Sequence, residues 1–254
     1  MPDMGTKKKL TKVGGSDAAD NGSRSFTPTA ESKAKATRNR VIAAVAWLVA
    51  IGAEVAAIVM LQRPPISMTW LIVLIAVDLA FAVAGSLLWK AANRLDPASE
   101  KEPVRFFVQN QLGLIIAIIA FLPLVVLVFT NKNMDGKQKG IVGGIAAVAL
   151  VIAGISGIDF NPPSIEQYAE QTARVESLTG GNHVYWTKSG KSYHLYSDCS
   201  YINTDRTTEI FEGSVAQARE LKNITDLCDR CAGRAEKEKG VDSPAGESEP
   251  ADSE

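Results

Sequence analysis

Histidine and cysteine are scarce in this chain of 254 residues: there are two of the first and three of the second, all after residue 182. So small and odd a set of cysteines argues against a closed disulfide framework and fits metal ligation better. Net charge is scarce as well, with a formal balance of -1. Between His183 and Lys239 acidic and basic side chains cancel. A nucleic-acid partner needs a net basic surface that releases counterions from phosphates, and nothing in that region supplies one. Lysine, arginine and histidine are missing altogether from four long stretches, 41–61, 66–89, 107–130 and 140–158. That absence excludes a reading of the whole chain as a soluble globular protein.

What fills those stretches is apolar. A helix needs about 20 apolar residues to cross the hydrocarbon core, because each residue rises about 1.5 Å. All four stretches meet that length. The expected fold class is therefore an all-α membrane protein with four transmembrane helices, followed by a small α+β zinc-binding C-terminal domain. The division is a basic arm over 1–40, the four-helix bundle over 41–158, a helical stalk over 159–182, the zinc-binding domain over 183–234 and an acidic tail over 235–254. Arm and tail have no apolar periodicity and are expected to be disordered. The arm, with Lys7, Lys8, Lys9 and Lys12 in one cluster and Lys33, Lys35, Arg38 and Arg40 in another, holds the N-terminus in the cytoplasm or meets anionic lipid headgroups. Arm and first stretch are together too long for a cleaved signal peptide. Four crossings return the C-terminus to the N-terminal side, so the expected location is the cell membrane, multi-pass, with both termini cytoplasmic and the lipid bilayer as the first partner.

The short connectors imply two antiparallel hairpins. Pro64 and Pro65 end the first helix, and Pro123 falls inside the third. The fourth stretch is dense in small residues, with Gly143 and Ala147, and Ala153 and Gly157, four apart. Such spacing lets backbones approach closely, within the bundle or across a homo-oligomer face. Two acids lie inside the apolar block, Glu54 and Asp78. Counted from the cytoplasmic ends they lie about 20 Å and about 17 Å deep. Intramembrane acids are costly and point to a proton or cation pathway; the alternative is a protonated pair hydrogen-bonded across two helices.

After the bundle, Ser164-Ile-Glu-Gln167 has capping-box form and starts a helix to about Leu178, with Ile165, Tyr168, Ala169 and Val175 toward one face. From His183 the pattern turns to strands: 183–187, a turn around Gly190, and 192–196, then an extended piece near Ile210 and Phe211 and a helix over 215–221. His194, Cys199, Cys228 and Cys231 carry the chemistry. Cys228-Asp-Arg-Cys231 offers two thiolates from one tight turn, and His194-x4-Cys199 completes a tetrahedral Cys3His set suited to structural zinc. His183 competes with His194 for the fourth place. A Cys-x2-Cys pair can also be redox-active, which calls for a thioredoxin-like unit that the sequence does not contain.

Val184-Tyr-Trp-Thr-Lys-Ser-Gly-Lys-Ser-Tyr-His194, then Cys199-Ser-Tyr-Ile202, Val215-Ala-Gln-Ala218 and Cys228-x2-Cys231 resemble a small bacterial zinc-binding module. That module is appended to membrane proteins and secreted nucleases, and is similar to the metal-binding domain of the Ada DNA-repair protein. In the Ada-type domain four cysteines hold zinc, and the first accepts a methyl group. His194 stands at that first position here, so the resemblance implies zinc binding without methyl transfer. The module's usual Gly and Pro before the last cysteine pair are replaced by Thr225-Asp-Leu227. The expected function is non-catalytic: a membrane protein displaying a cytoplasmic structural-zinc module to a protein partner. The alternatives are a small ion- or proton-coupled transporter or channel using Glu54 and Asp78, and an enzyme using an activated zinc thiolate.

Overall fold

Thr29 opens the first long helix by accepting a hydrogen bond from the Ser32 amide at 3.1 Å, an N-cap that satisfies one of the helix's orphan donors. The computed structural model describes residues 9–13, 26–222, 224 and 226–242, and they fall into two compact units. One, 27–165, contains four helices: α1 (Ala30–Leu61), α2 (Met68–Leu95), α3 (Pro103–Thr130) and α4 (Gly136–Gly157). All four are long and apolar enough to cross a membrane. α1 packs most extensively on α2 and α3 on α4, and α2 also touches α3 and α4.

The unit is apolar on the outside. Val45, Leu48, Val55, Trp70, Leu87, Val148 and Ile155 are exposed, whereas Ala43, Ala50, Ala57, Ala146 and Ala153 are buried between the helices. In water such a surface would be a severe liability; facing lipid, it is what small-residue helix packing leaves outside. At the α3–α4 crossing Gly157 and Gly113 meet backbone to backbone, and a Cβ on Gly157 would stand 2.5 Å from the Gly113 carbonyl carbon. Gly143 faces the Phe129 ring. Gly143 and Gly157 of α4 thus serve packing inside the bundle.

The helices run past the apolar stretches into polar flanks. α1 starts at Ala30, where Glu31 pairs with Lys35 at 2.7 Å, and α4 starts behind a capping box of Asp135 and Gln138. Arg40 donates to the Asp96 carboxylate at 2.6 Å and to its carbonyl at 2.9 Å, tying α1 to the end of α2. These caps and pairs form in the polar flanks, so the arm expected to be unstructured over 1–40 is helical from residue 30.

The other unit spans 166–242 together with residues 9–13 and Phe26 among those described. Its elements are β1 (Lys9–Lys12), α5 (Ile165–Thr179), β2 (Val184–Thr187), β3 (Ser192–Tyr193), β4 (Glu209–Gly213), α6 (Val215–Lys222), β5 (Asp226–Leu227) and α7 (Asp229–Asp242). One sheet has the order β1-β4-β2, with β1 parallel and β2 antiparallel to β4; β3 and β5 form a second, parallel pair. Trp186, Val184, Tyr193, Val215 and Ile224 are the core.

Three boundaries differ from the sequence reading. The expected stalk is part of this unit: Tyr168, Thr172 and Val175, one face of α5, are buried, and Val175 and Leu178 join the same core. Gly180, at φ +75, ends that helix. Part of the expected disordered arm, Lys9–Lys12, is a sheet strand, because β4 offers it a free edge. α7 continues to Asp242, so the expected acidic tail is helical over its first residues. The remaining parts of the arm, 1–8 and 14–25, and of the tail, 243–254, lie outside the described residues.

Candidate metal centre

β2 and the segment after β3 meet at one narrow antiparallel bridge. Tyr185 and His194 exchange both backbone hydrogen bonds at 2.7 Å, which fixes the His194 backbone just after β3. The chain then turns, and the Cys199 carbonyl accepts from Ile202 and Asn203 at 3.0 and 2.7 Å. The Cys228 amide donates to Tyr193 at 3.0 Å, docking the second cysteine pair against β3. The Cys228 carbonyl accepts from Ala232 at 3.0 Å, so Cys228 stands at the N-cap of α7 and Cys231 in its first turn.

The result is a closed cluster. One donor atom from each of His194, Cys199, Cys228 and Cys231 lies within 4.8 Å of every other, and all four residues are buried. The His194 Nδ1 is 3.7 Å from the Cys231 Sγ. Tetrahedral ligands at zinc distances of about 2.0–2.3 Å stand about 3.3–3.8 Å apart, so the geometry fits one ion. The protonation chemistry agrees. Burial pushes the His194 pKa down, which keeps its ring neutral and able to coordinate. Burial pushes the Cys231 thiol up to about 12, even though backbone N–H groups of Leu195 and Tyr196 point toward its sulfur. Those amides are the donors that a thiolate accepts once a cation compensates its charge.

The Cys-x2-Cys pair opens a helix directly after a strand, the placement a redox pair would have. Redox thiols, however, are low in pKa and accessible. Here all three sulfurs are buried and free of disulfides, and Cys231 is shifted the other way. The other histidine is not part of the cluster. His183 is half exposed, 3.8 Å from Glu212 and edge-on to Tyr185.

Arg234, which the sequence pattern did not single out, supports the cluster from outside. It lies on α7 just beyond Cys231, donates to both Asp198 oxygens at 2.9 and 3.0 Å and to Glu238 at 2.9 Å, and covers the Tyr196 ring at 3.9 Å. It thereby staples the loop carrying Cys199 to the helix carrying Cys231. A cleft of about 690 Å³ opens beside His194 and Cys228, with Arg174, Lys191 and Arg230 among its walls.

In the bundle, the two acids are also buried, Glu54 at 4% exposure and Asp78 at 0%. Among the described residues, Glu54 Oε1 and both Asp78 carboxyl oxygens have no hydrogen-bond partner. The carboxyl groups are close enough to couple electrostatically, and the Leu124 backbone approaches Glu54 just past Pro123. Sequence reasoning did not find the polar cluster at the end of α2. There Asn93 donates to the Gln109 carbonyl at 2.8 Å and to Asn110 at 3.3 Å, and Trp89 donates to the same carbonyl at 2.7 Å.

No protein-family model, curated protein or solved structure matches the chain. The cluster geometry therefore carries the reading.

Proposed function

We propose that this chain is a non-catalytic integral membrane protein that displays a structural-zinc module of the Ada-like kind on the cytoplasmic side, where it docks a protein partner. The observation that carries the reading is the closed donor set. His194, Cys199, Cys228 and Cys231 would fill all four positions of a tetrahedral ion, leaving none for a water nucleophile. Zinc there would neutralise most of the buried thiolate charge and cross-link β3, the Cys199 loop and α7, which is how small modules with modest cores gain stability. Burial of all three sulfurs supports a structural role over a nucleophilic one. The even number of membrane-capable helices supports termini on one side, as does the pairing of the N-terminal β1 with β4. The basic arm before α1 favours the cytoplasmic side.

Elemental analysis of the purified full chain tests this reading. One zinc per chain is expected in wild type and in His183→Ala, with loss in His194→Ala. Wild-type protein without metal overturns it, and so does a reporter fused after Leu178 that is active only outside the cytoplasm.

A second reading, a proton- or cation-coupled transporter, is favoured by one observation. Buried carboxyl oxygens without partners are expensive and mark ion pathways in membrane proteins. It predicts that Glu54→Gln and Asp78→Asn change flux in proteoliposomes while zinc content stays intact. Unchanged flux in both variants rejects it.

A further inference from the structure

β4 would be an edge strand if Lys9–Lys12 were not beside it. Edges of this kind accept extended peptides through main-chain hydrogen bonds, with side chains setting the preference. The register places Lys9 beside Glu209, Leu10 beside Ile210, Thr11 beside Phe211 and Lys12 beside Glu212. Thr11 donates to Glu209 at 2.6 Å, and Lys9 reaches the same carboxylate at 3.5 Å. Lys12 stands 3.8 Å from Glu212, whose side chain is only 7% exposed. Gln217 donates to the Val13 carbonyl at 3.2 Å, and Val13 donates to the Glu212 carbonyl at 3.1 Å.

The two sides of this contact are unequal. The Glu212 carboxylate is buried and belongs to the sheet, with His183 as its other neighbour. Lys12, which answers it, is 86% exposed; Lys9, which answers the partly buried Glu209, is 76% exposed, and Leu10 is 52% exposed. Exposed ion pairs and a four-residue ladder hold a strand weakly. The acids are therefore a fixed feature of the edge, and the basic strand is the replaceable part.

We propose that the β4 edge, Glu209–Gly213 with Gln217, is a docking strip for an extended peptide carrying lysine at its first and fourth positions and a hydroxyl residue at the third. The chain's own Lys9–Lys12 occupies this strip in cis, and a partner of the same pattern binds by displacing it. This inference deepens the reading of the module as a docking platform and rests on it.

The test uses the full, metal-loaded chain in detergent and a fluorescent synthetic peptide of residues 7–14. Wild type binds the probe weakly, because its own strand competes at high effective concentration. A chain carrying Lys9→Glu and Lys12→Glu binds it about tenfold more tightly or better. Adding Glu209→Gln and Glu212→Gln to that chain removes the gain, with zinc content and the near-ultraviolet signal of Trp186 checking that the module is still folded. A probe with glutamate at both lysine positions binds only when Glu209→Lys and Glu212→Lys are present. Equal binding by wild-type and released chains overturns the proposal, as does binding indifferent to Glu209 and Glu212. Probe uptake that dissociates a dimer reassigns the strip to a second copy's arm and overturns the partner class. Failure on a metal-loaded chain sinks this inference alone, whereas the expected binding on a chain that never held metal sinks the zinc reading alone.

Discussion

Replacing Gly157 by alanine adds one methyl group where α4 crosses α3. Its carbon would lie 2.5 Å from the Gly113 carbonyl carbon, 2.6 Å from the Leu114 nitrogen and 2.7 Å from the Gly113 oxygen. An ordinary contact between carbons is about 3.5–4.0 Å, so the helices must part by about 1 Å there. Every obstructing atom is backbone, so no side chain can rotate away. Overpacking of this kind costs about 1–3 kcal/mol, and the strain here belongs at the upper end; the gain in helix propensity returns about 0.5–1 kcal/mol. The net expectation is a loss of about 2 kcal/mol. Gly113→Ala should be milder, because its nearest obstacle is the Ser86 hydroxyl at 2.9 Å, which can move, with Gly157 atoms at 3.0 Å. Gly144→Ala, with nothing within 4 Å, should be neutral or slightly stabilising. Equilibrium unfolding of the full chain in mixed detergent micelles ranks the three variants. If Gly157→Ala is as stable as Gly144→Ala, α3 and α4 do not meet at these glycines and the packing argument fails.

Three further outcomes are expected. Arg234→Ala, which cuts the staple between the Cys199 loop and α7, should speed zinc loss to a chelator by about tenfold or more, the scale of supports around metal ligands; Arg230→Ala, which donates to the exposed Ser200 hydroxyl and lies over the Tyr201 ring, should change it little. Trp186→Ala removes a fully buried ring from the centre of the module core and should cost about 3–5 kcal/mol, read as loss of the module's folded signal while the helices remain. Docking of β1 should depend on acid. The Thr11 hydroxyl holds the Glu209 carboxyl below its usual pKa, against the next-largest effect, burial, which raises it, and with lesser help from Lys9. A lowered folded pKa contributes stability that is present above the free value of 4.5 and lost as pH falls through the folded value. Protection of the Lys9 and Val13 amides, which donate to the Thr208 and Glu212 carbonyls, should therefore fall below pH 4.5 once corrected for the intrinsic exchange rate at each pH, and a flat profile would show that Glu209 does not hold the strand.

The membrane-capable helices were legible because lipid imposes a simple rule of length and apolarity on 41–61, 66–89, 107–130 and 140–158. Their ends were not, because Thr29, Asp135 and the Arg40–Asp96 pair work through hydrogen bonds in polar flanks that carry no periodic signal. The Cys3His cluster was legible in its spacing. What separates His194 from His183 is the narrow bridge to Tyr185, a feature of strand register rather than of spacing. The face of α5 showed in Tyr168 and Val175, but not what it packs against. β1 was illegible for a plain reason. Of its four residues only Leu10 is apolar, and its pairing depends on Glu209 and Glu212, which in sequence look like ordinary solvated charges.

That strand also sets an order of events in the making of the protein. Thr11 and its partner Glu209 are 198 residues apart. At ribosomal speeds of about 5–20 residues per second the arm waits about 10–40 s after its own synthesis for β4 to appear. In that interval the four membrane-capable helices α1 to α4 are made with the arm unpaired. The ladder can close only after α1 to α5 have been made, whereas α6 and α7 follow β4. A nascent chain stalled before β4 would leave Lys9–Lys12 without its ladder, so a closed β1–β4 pair is a built-in record that synthesis has run past Gly213.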